Sequence, residues 1–370
     1  VAVVVSPRQY ESVLAEIRTD GAVSDGTRRR LAAEAFAHVA AYDTAVADYL
    51  RGRADGAQLP LEYTTGGARL HELRYGENPH QRGGLYAIAG PAGGVAHARR
   101  LQGSELSFTN WLDVDAARRL VSDVEAPAAA IIKHTNPCGF AVADTISSAY
   151  QRAYECDPRS AYGGIVGLNR PLDAATARDL SQTFLEAVIC PAIDEDAASL
   201  LAQKQRLRVL VAGTQSCADA FDVRSVDGGL LVQTQDRVST DRNNMRVVTA
   251  RQPTNDEWRD LLVAWPVCRH VKSNAIVVVK DGMAVGVGAG QMSRVEAAEL
   301  AVQRAGDRTK GAVAASDAFF PMPDGLESLA AAGIRAVVHP GGSKRDPDVI
   351  AAADRLDVAV VHTGERHFRH

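Results

Sequence analysis

Lys133 and His134 stand side by side where an apolar run, Ala128 to Ile132, gives way to polar residues. Read as a strand, that run puts both at its carboxyl end, where open α/β sheets usually place ligands. Adjacent strand residues point to opposite faces, so the two side chains share a site only where the backbone turns. Asn136-Pro137-Cys138-Gly139 supplies the turn, because the residue before a proline is driven out of helical geometry. An imidazole titrates near neutrality and can take a proton from a weak nucleophile. A neighbouring ammonium keeps that imidazole neutral and could stabilise an oxyanion. The alternative is a solvated lysine beside a histidine that caps a turn.

Other segments invite chemistry less directly. Asn136-Pro137-Cys138 suggests a zinc deaminase, whose signature pairs His-x-Glu with Pro-Cys-x-x-Cys. Ala141 fills the second cysteine position and His71-Glu72 lacks its spacer, so the zinc reading fails. Gly286 to Gly290 is neither a phosphate loop nor a dinucleotide fingerprint, since Gln291 stands where the last glycine belongs. A hairpin ending in glycines and entering a helix can still offer N–H groups to an anion, with Arg294 adding charge. Glycines required by the hairpin bend explain the run equally well. Pro340 to Arg345 reads as an exposed turn. Arg74-Tyr75-Gly76-Glu77-Asn78-Pro79-His80-Gln81 combines a bidentate phosphate binder with a stacking ring, or is a polar surface loop. In Arg366-His367-Phe368-Arg369-His370 the phenylalanine argues for docking rather than a solvated tail.

These residues need a scaffold, and the chain is long enough to build one. At roughly 150 residues per domain, 370 residues make two or three domains. Hydrophobic content of 46% excludes intrinsic disorder, and a net charge of −4 gives no basic surplus for nucleic acid. No uncharged apolar run approaches the roughly 18 residues of a membrane span, and no signal peptide opens the chain. Cys138, Cys156, Cys190, Cys217 and Cys268 form no CxxC pair, which fits small thiols in a reducing, cytoplasmic setting.

The pattern along the chain predicts alternating strands and helices, hence layered α/β domains. Val1 to Val5 reads as a strand buried on both faces, the trailing end of a domain whose earlier part is absent. From Asp25 a helix carries Leu31, Ala35, Val39, Tyr42, Val46, Tyr49 and Leu50 on one stripe. Gly52 to Gly67 reads as a linker. A helix is expected over Ser147 to Cys156, and another around Trp258 to Trp265, closed by Pro266. Asp281-Gly282 between two apolar runs signals a hairpin. Ser293 with Glu296 forms a capping box. Each half has a polar turn after a strand and then a helix, which hints at an internal duplication.

Taken together, Leu73 to Gln81 (LRYGENPHQ), Lys133 to Gly139 (KHTNPCG), Ser160 to Gly164, Val271 to Asn274 (VKSN), Gly286 to Arg294, Ser316 to Pro321 (SDAFFP) and the HFRH terminus resemble one family in order and spacing. It is the bacterial bifunctional purine biosynthesis enzyme family, which joins a formyltransferase acting on 5-aminoimidazole-4-carboxamide ribonucleotide to an inosine monophosphate cyclohydrolase. The resemblance implies two subdomains of cytidine-deaminase-like fold without zinc, preceded by a mostly helical remnant of the cyclohydrolase domain. The expected boundaries are 1–66 for the remnant and linker, 67–235 for the first subdomain and 236–370 for the second.

The same resemblance assigns roles. His134 would be the base, with Lys133 beside it and Asn274 orienting the formyl group of 10-formyltetrahydrofolate. Arg74, Tyr75, Asn110, Gly163, Glu186, Phe319, Arg366 and Phe368 match nucleotide-contacting positions, with Glu186 where some members carry Asp. Arg294, Val295, Pro321 and Asp324 match folate-side positions. The family implies a homodimer with active sites at the interface, a structural potassium ion in some members, and neither nucleic acid nor membrane as partner. The expectation is a chain that transfers formyl groups and by itself lacks cyclization, which the full-length protein would also perform. The competing reading is a non-catalytic nucleotide-binding or dimerisation module of the same fold.

Overall fold

Apolar runs of four to seven residues become strands, and the capped segments between them become helices. The protein is described here by a computed structural model over residues 1–51, 59–88, 93–213 and 221–370. Cys217 and most of the expected linker, 52–58, lie outside the described residues. In chain order the elements begin with α1 (Tyr10–Asp20), α2 (Asp25–Arg51), β1 (Gly67–Leu73), β2 (Gly83–Ile88) and β3 (Arg99–Gln102). Then come α3 (Phe108–Ser122), β4 (Ala128–Lys133), β5 (Asn136–Val142), α4 (Ile146–Cys156), α5 (Pro158–Ala161) and β6 (Ile165–Leu168). These are followed by α6 (Ala174–Leu180), β7 (Ala187–Cys190), α7 (Glu195–Leu201), β8 (Arg208–Val211), β9 (Asp222–Val226) and β10 (Gly229–Gln233). The second half holds β11 (Arg246–Val247), α8 (Asn255–Arg269), β12 (Ile276–Lys280), β13 (Met283–Gly288) and α9 (Arg294–Ala305). It ends with β14 (Val313–Ser316), α10 (Asp324–Ala331), β15 (Ala336–His339), α11 (Asp346–Arg355) and β16 (Ala359–His362).

Two compact units result. The smaller holds α1, α2, the β1–β2 ribbon without its connecting segment Leu73–Arg82, and the β9–β10 ribbon. The larger holds Leu73–Arg82 and a 12-stranded mixed sheet with its helices, a layered α/β architecture. The sheet order is β11-β16-β15-β14-β12-β13-β5-β4-β6-β7-β8-β3. Inward from one edge it reads β3-β8-β7-β6-β4-β5, and from the other β11-β16-β15-β14-β12-β13. The two series match strand for strand, each with one antiparallel hairpin, three mutually parallel strands outside it and an antiparallel edge strand.

The strands alternate with period two between two buried faces. Ala128, Ala130 and Ile132 of β4 join Val277 and Val279 of β12 against α3 and α8, where Trp258 and Trp265 are buried. On the opposite face Ala129 and Ile131 meet α4, α6 and α7, while Ile276 and Val278 meet α9, α10 and α11. Among the described residues three α-helices start in capping boxes: Ser107 with Asn110, Thr254 with Glu257, and Ser293 with Glu296.

Several expectations need correction. Val1 to Val5 forms no strand, and Val1 is fully exposed, because no described strand lies beside the run to bond it. On α2 the stripe is buried at Leu31 and Ala35 but exposed at Val39, Tyr42, Val46, Tyr49 and Leu50, where nothing described in its unit covers it. The helix α8 is not closed by Pro266 but runs through it to Arg269, held by the burial of its last turn. The turn after β4 falls at His134-Thr135, so Asn136 and Pro137 already belong to β5. A register shift between Ile131 and Ile132 faces Pro137, and such an irregularity lets an inner strand accept a proline.

Candidate active site

The β4–β5 hairpin closes with only two residues, His134 and Thr135, between the paired Lys133 and Asn136. Both have positive φ, 52° and 63°. That is the two-residue turn whose twist suits a hairpin and which favours asparagine and glycine. A histidine and a threonine there cost on the order of 1 kcal/mol each, so the surroundings must hold them. The Thr135 N–H donates to Asp113 Oδ1 of α3 at 2.6 Å. On the other side Arg369 donates to Thr135 O at 3.1 Å and also to His270 O. Asn136 accepts from Lys272 N–H at 2.9 Å, joining the turn to the segment ahead of β12. The imidazole of His134 is left exposed.

Lys133 is half-buried and donates to Tyr162 O at 2.6 Å. An ammonium has three donors, so two remain for a ligand. Gly163 follows at φ 69°, and a Cβ there would sit 3.4 Å from Lys133 Nζ and 3.5 Å from the Phe184 ring. The Gly163 N–H is committed to Phe184 O at 2.7 Å.

A buried carboxylate organises the neighbouring wall. Asp317 is fully buried and accepts from Ala275 N–H at 3.1 Å, from Ser273 Oγ and from Arg294. Arg294, itself buried, also donates to Ser316 Oγ at 3.1 Å and to Asn274 Oδ1 at 2.7 Å. The Asn274 amide donates to Gln291 O at 2.9 Å and to Met292 O at 3.2 Å, so its oxygen and both hydrogens are engaged within the protein. The chain terminus is stitched to this wall by His367 N–H to Asp317 O at 3.1 Å and Ser273 N–H to Arg369 O at 2.9 Å. The anchors are His367, 2% exposed and 2.8 Å from Asp236, and Arg369, rather than the expected Phe368, which is 40% exposed.

Burial pushes the Asp113 carboxyl above the ordinary carboxylate range, against the pull of the Thr135 and His134 N–H groups. Burial also opposes ionisation of Asp123, but His270 at 2.7 Å and Arg269 together hold its carboxyl below the usual range. For His270 burial prevails, and its pKa is lowered.

Lys133, His134, Gly163, Asn274 and Arg294 are thus joined by successive contacts at one end of the sheet. Glu186 approaches through its N–H to Gly164 O at 3.0 Å, its carboxylate paired with Arg208. Val295 is half-buried in the first turn of α9. Asn110 accepts from Ser107 N–H in the cap of α3. Arg74 lies over the Tyr75 ring at 5.9 Å and Arg366 over Phe368 at 4.2 Å. Phe319 and Pro321 are exposed beside the buried Phe320, and Asp324 opens α10. Arg74, Tyr75, Phe319, Pro321, Asp324, Arg366 and Phe368 make no hydrogen bond or ion pair to that group among the described residues. The sequence reading missed Asp113, Asp317 and His270. Asp317 and Arg369 lay inside quoted motifs, whereas Asp113 carried no local signal because its partner is 22 residues away.

Two further candidates resolve plainly. A Cβ on Gly288 would fall 1.9 Å from Ala297 O, and one on Gly286 2.2 Å from Ala301 O. These glycines let β13 lie against α9, so packing accounts for the run. The thiol of Cys138, in the motif that suggested zinc, is pushed up to about 12 by burial and donates to Ile131 O. Among the described residues no cluster of three or more His, Cys, Asp or Glu could hold a metal ion, and no helix is long and apolar enough to cross a membrane.

Comparison with known proteins finds similarity along the chain. A family model described as AICARFT/IMPCHase bienzyme matches residues 1–304. The bifunctional purine biosynthesis protein PurH of Trichormus variabilis is 49% identical over 370 residues, covering 100% of this chain and 72% of the relative. Proteins of the same name from Bacillus cereus and Desulfitobacterium hafniense are each 47% identical, over 372 and 380 residues, with 73% of each relative covered.

Proposed function

This chain belongs to the AICARFT/IMPCHase bienzyme family, and from that premise we propose that it performs the formyl transfer. The formyl group of 10-formyltetrahydrofolate passes to the 5-amino group of 5-aminoimidazole-4-carboxamide ribonucleotide, releasing tetrahydrofolate. The observation that carries the reading is an exposed His134 on a strained turn, with Lys133 beside it and the Asn274–Arg294 wall bonded to the same turn.

The amine is conjugated to an imidazole carboxamide and is a poor nucleophile. His134 accepts its proton as nitrogen attacks the formyl carbon, and as the tetrahedral intermediate collapses that proton passes to N10 of the folate and the carbon–nitrogen bond to N10 breaks. The oxyanion of that intermediate is stabilised by Lys133 through a hydrogen not given to Tyr162. For Asn274 to bind the formyl oxygen, one of its two internal bonds must be exchanged. Holding both substrates in contact supplies much of the remaining rate. Arg74, Tyr75, Asn110, Gly163, Glu186, Phe319, Arg366 and Phe368 are proposed for the nucleotide, and Arg294, Val295, Pro321 and Asp324 for the folate. No step runs through a metal.

We assign the two matching halves of the sheet to two deaminase-like subdomains lying within 67–235 and 236–370, after a first segment over 1–66. The working form is taken as a cytoplasmic homodimer with the active site at the interface. The test is direct: purified chain with both substrates releases tetrahydrofolate, and His134→Ala lowers turnover about 100-fold or more with nucleotide binding retained. Normal turnover in that variant would refute the base.

A further inference from the structure

The turn that carries His134 contains no glycine, yet both its residues sit at positive φ. Its N–H edge is met by a carboxylate from α3, Asp113, whose Oδ1 accepts from Thr135 at 2.6 Å. The matching half of the sheet repeats the device. The β12–β13 turn is Asp281-Gly282, with φ 51° and 76°, and its two N–H groups donate to Asp260 of α8 at 2.8 and 2.7 Å. Each aspartate lies one helix ahead of its hairpin, and the spacings from Asp113 to Thr135 and from Asp260 to Gly282 are both 22 residues.

The two turns differ in what they need. Gly282 enters the left-handed region without steric cost, so the second turn closes with less help. His134 and Thr135 have no such freedom. The second turn also lies at the opposite end of its strands from the first, since Ile276 at the start of β12 pairs with Ser316 beside the site, while Asp281 follows the end of that strand.

We propose that Asp113 is a positioning residue for formyl transfer, holding the His134-Thr135 turn in the conformation that presents the imidazole to the substrates. It touches neither substrate and acts through the backbone of the turn. The inference rests on the reading of His134 as the base, and Asp260 provides its internal control.

The experiment uses the full chain with Asp113→Ala, Asp113→Asn, Asp113→Glu, Asp260→Ala and His134→Ala, following kcat, both KM values, thermal midpoint and amide hydrogen exchange. Asp113→Ala is expected to lower kcat at least tenfold with both KM values within about threefold of the parent. Asp113→Asn keeps an acceptor for the Thr135 N–H and is expected to recover most of that loss. Asp260→Ala is expected to lose thermal stability comparably while keeping its kcat. Exchange at His134 and Thr135 should rise in Asp113→Ala and not in Asp260→Ala. Should Asp113→Ala fail to fold, Asp113→Glu decides, because it keeps the charge and displaces the acceptor by one methylene; lowered kcat supports the inference. Parent-like kcat in the folded Asp113 variants, or equal kcat losses in Asp113→Ala and Asp260→Ala, overturns it. Active His134→Ala would refute the base alone, and exchange at Thr135 would still decide whether Asp113 holds the turn.

Discussion

His134 is exposed on a backbone that its own Cβ disfavours, so its geometry is imposed by Asp113 and Arg369 rather than chosen locally. The opposite case is His339, fully buried, whose Nδ1 accepts from Gly341 N–H at 3.0 Å and whose pKa burial lowers to about 3. In the unfolded chain an imidazole titrates near 6.5. Between that value and about 3 the unfolded state binds a proton that the folded state refuses, so stability falls as pH drops through this window. Buried His270 and half-buried His362 are lowered in the same direction. His339→Asn keeps an acceptor for Gly341 and removes the titration. Its unfolding free energy should fall less steeply than the parent's between pH 7 and pH 5, the difference being on the order of 2 kcal/mol. Parallel pH dependences in chemical denaturation would rule this out.

Among the elements, closeness between strand and helix is what the glycines of β13 secure. Gly288→Ala must force β13 from α9, because the Ala297 carbonyl occupies the space of the new methyl. It is expected to cost about 1–3 kcal/mol in denaturant unfolding, as overpacking does. Ser107→Ala removes the acceptor for Asn110 N–H at the start of α3 and is expected to cost about 1 kcal/mol. Because α3 also carries Asp113, part of that loss should appear in kcat. Element type was legible where the apolar pattern ran uninterrupted, as in β4, β12 and α4. It misled at Pro266, where burial outweighs the missing N–H, and at Val1 to Val5, where a strand pattern has no described neighbour to bond.

For the molecule as a whole, the site gathers segments far apart in sequence. Thr135 meets Arg369 and Asn136 meets Lys272. Such an arrangement has a high entropic cost of closure, which the sheet meets by burying both faces of most of its strands. If the working form is a dimer with shared sites, formyl transfer per chain should fall on dilution through the dimer dissociation constant and recover with added protein. Specific activity that stays constant while sedimentation reports monomer would exclude a shared site.

The amino-acid sequence alone determined the apolar runs that become strands, the Ser293–Glu296 cap, the Asp-Gly hairpin and the family whose motifs the chain carries. These are set by neighbours in the chain or by residues in fixed order. Tertiary structure alone decided that the turn lies at His134-Thr135, that His367 and Arg369 dock the terminus, and that Asp317 ties Arg294 and Ser273 into the wall carrying Asn274. It also decided that Asp113 meets a turn 22 residues away. A hydrogen bond between distant residues leaves no period or spacing in the sequence, because either partner would read the same on a solvated surface.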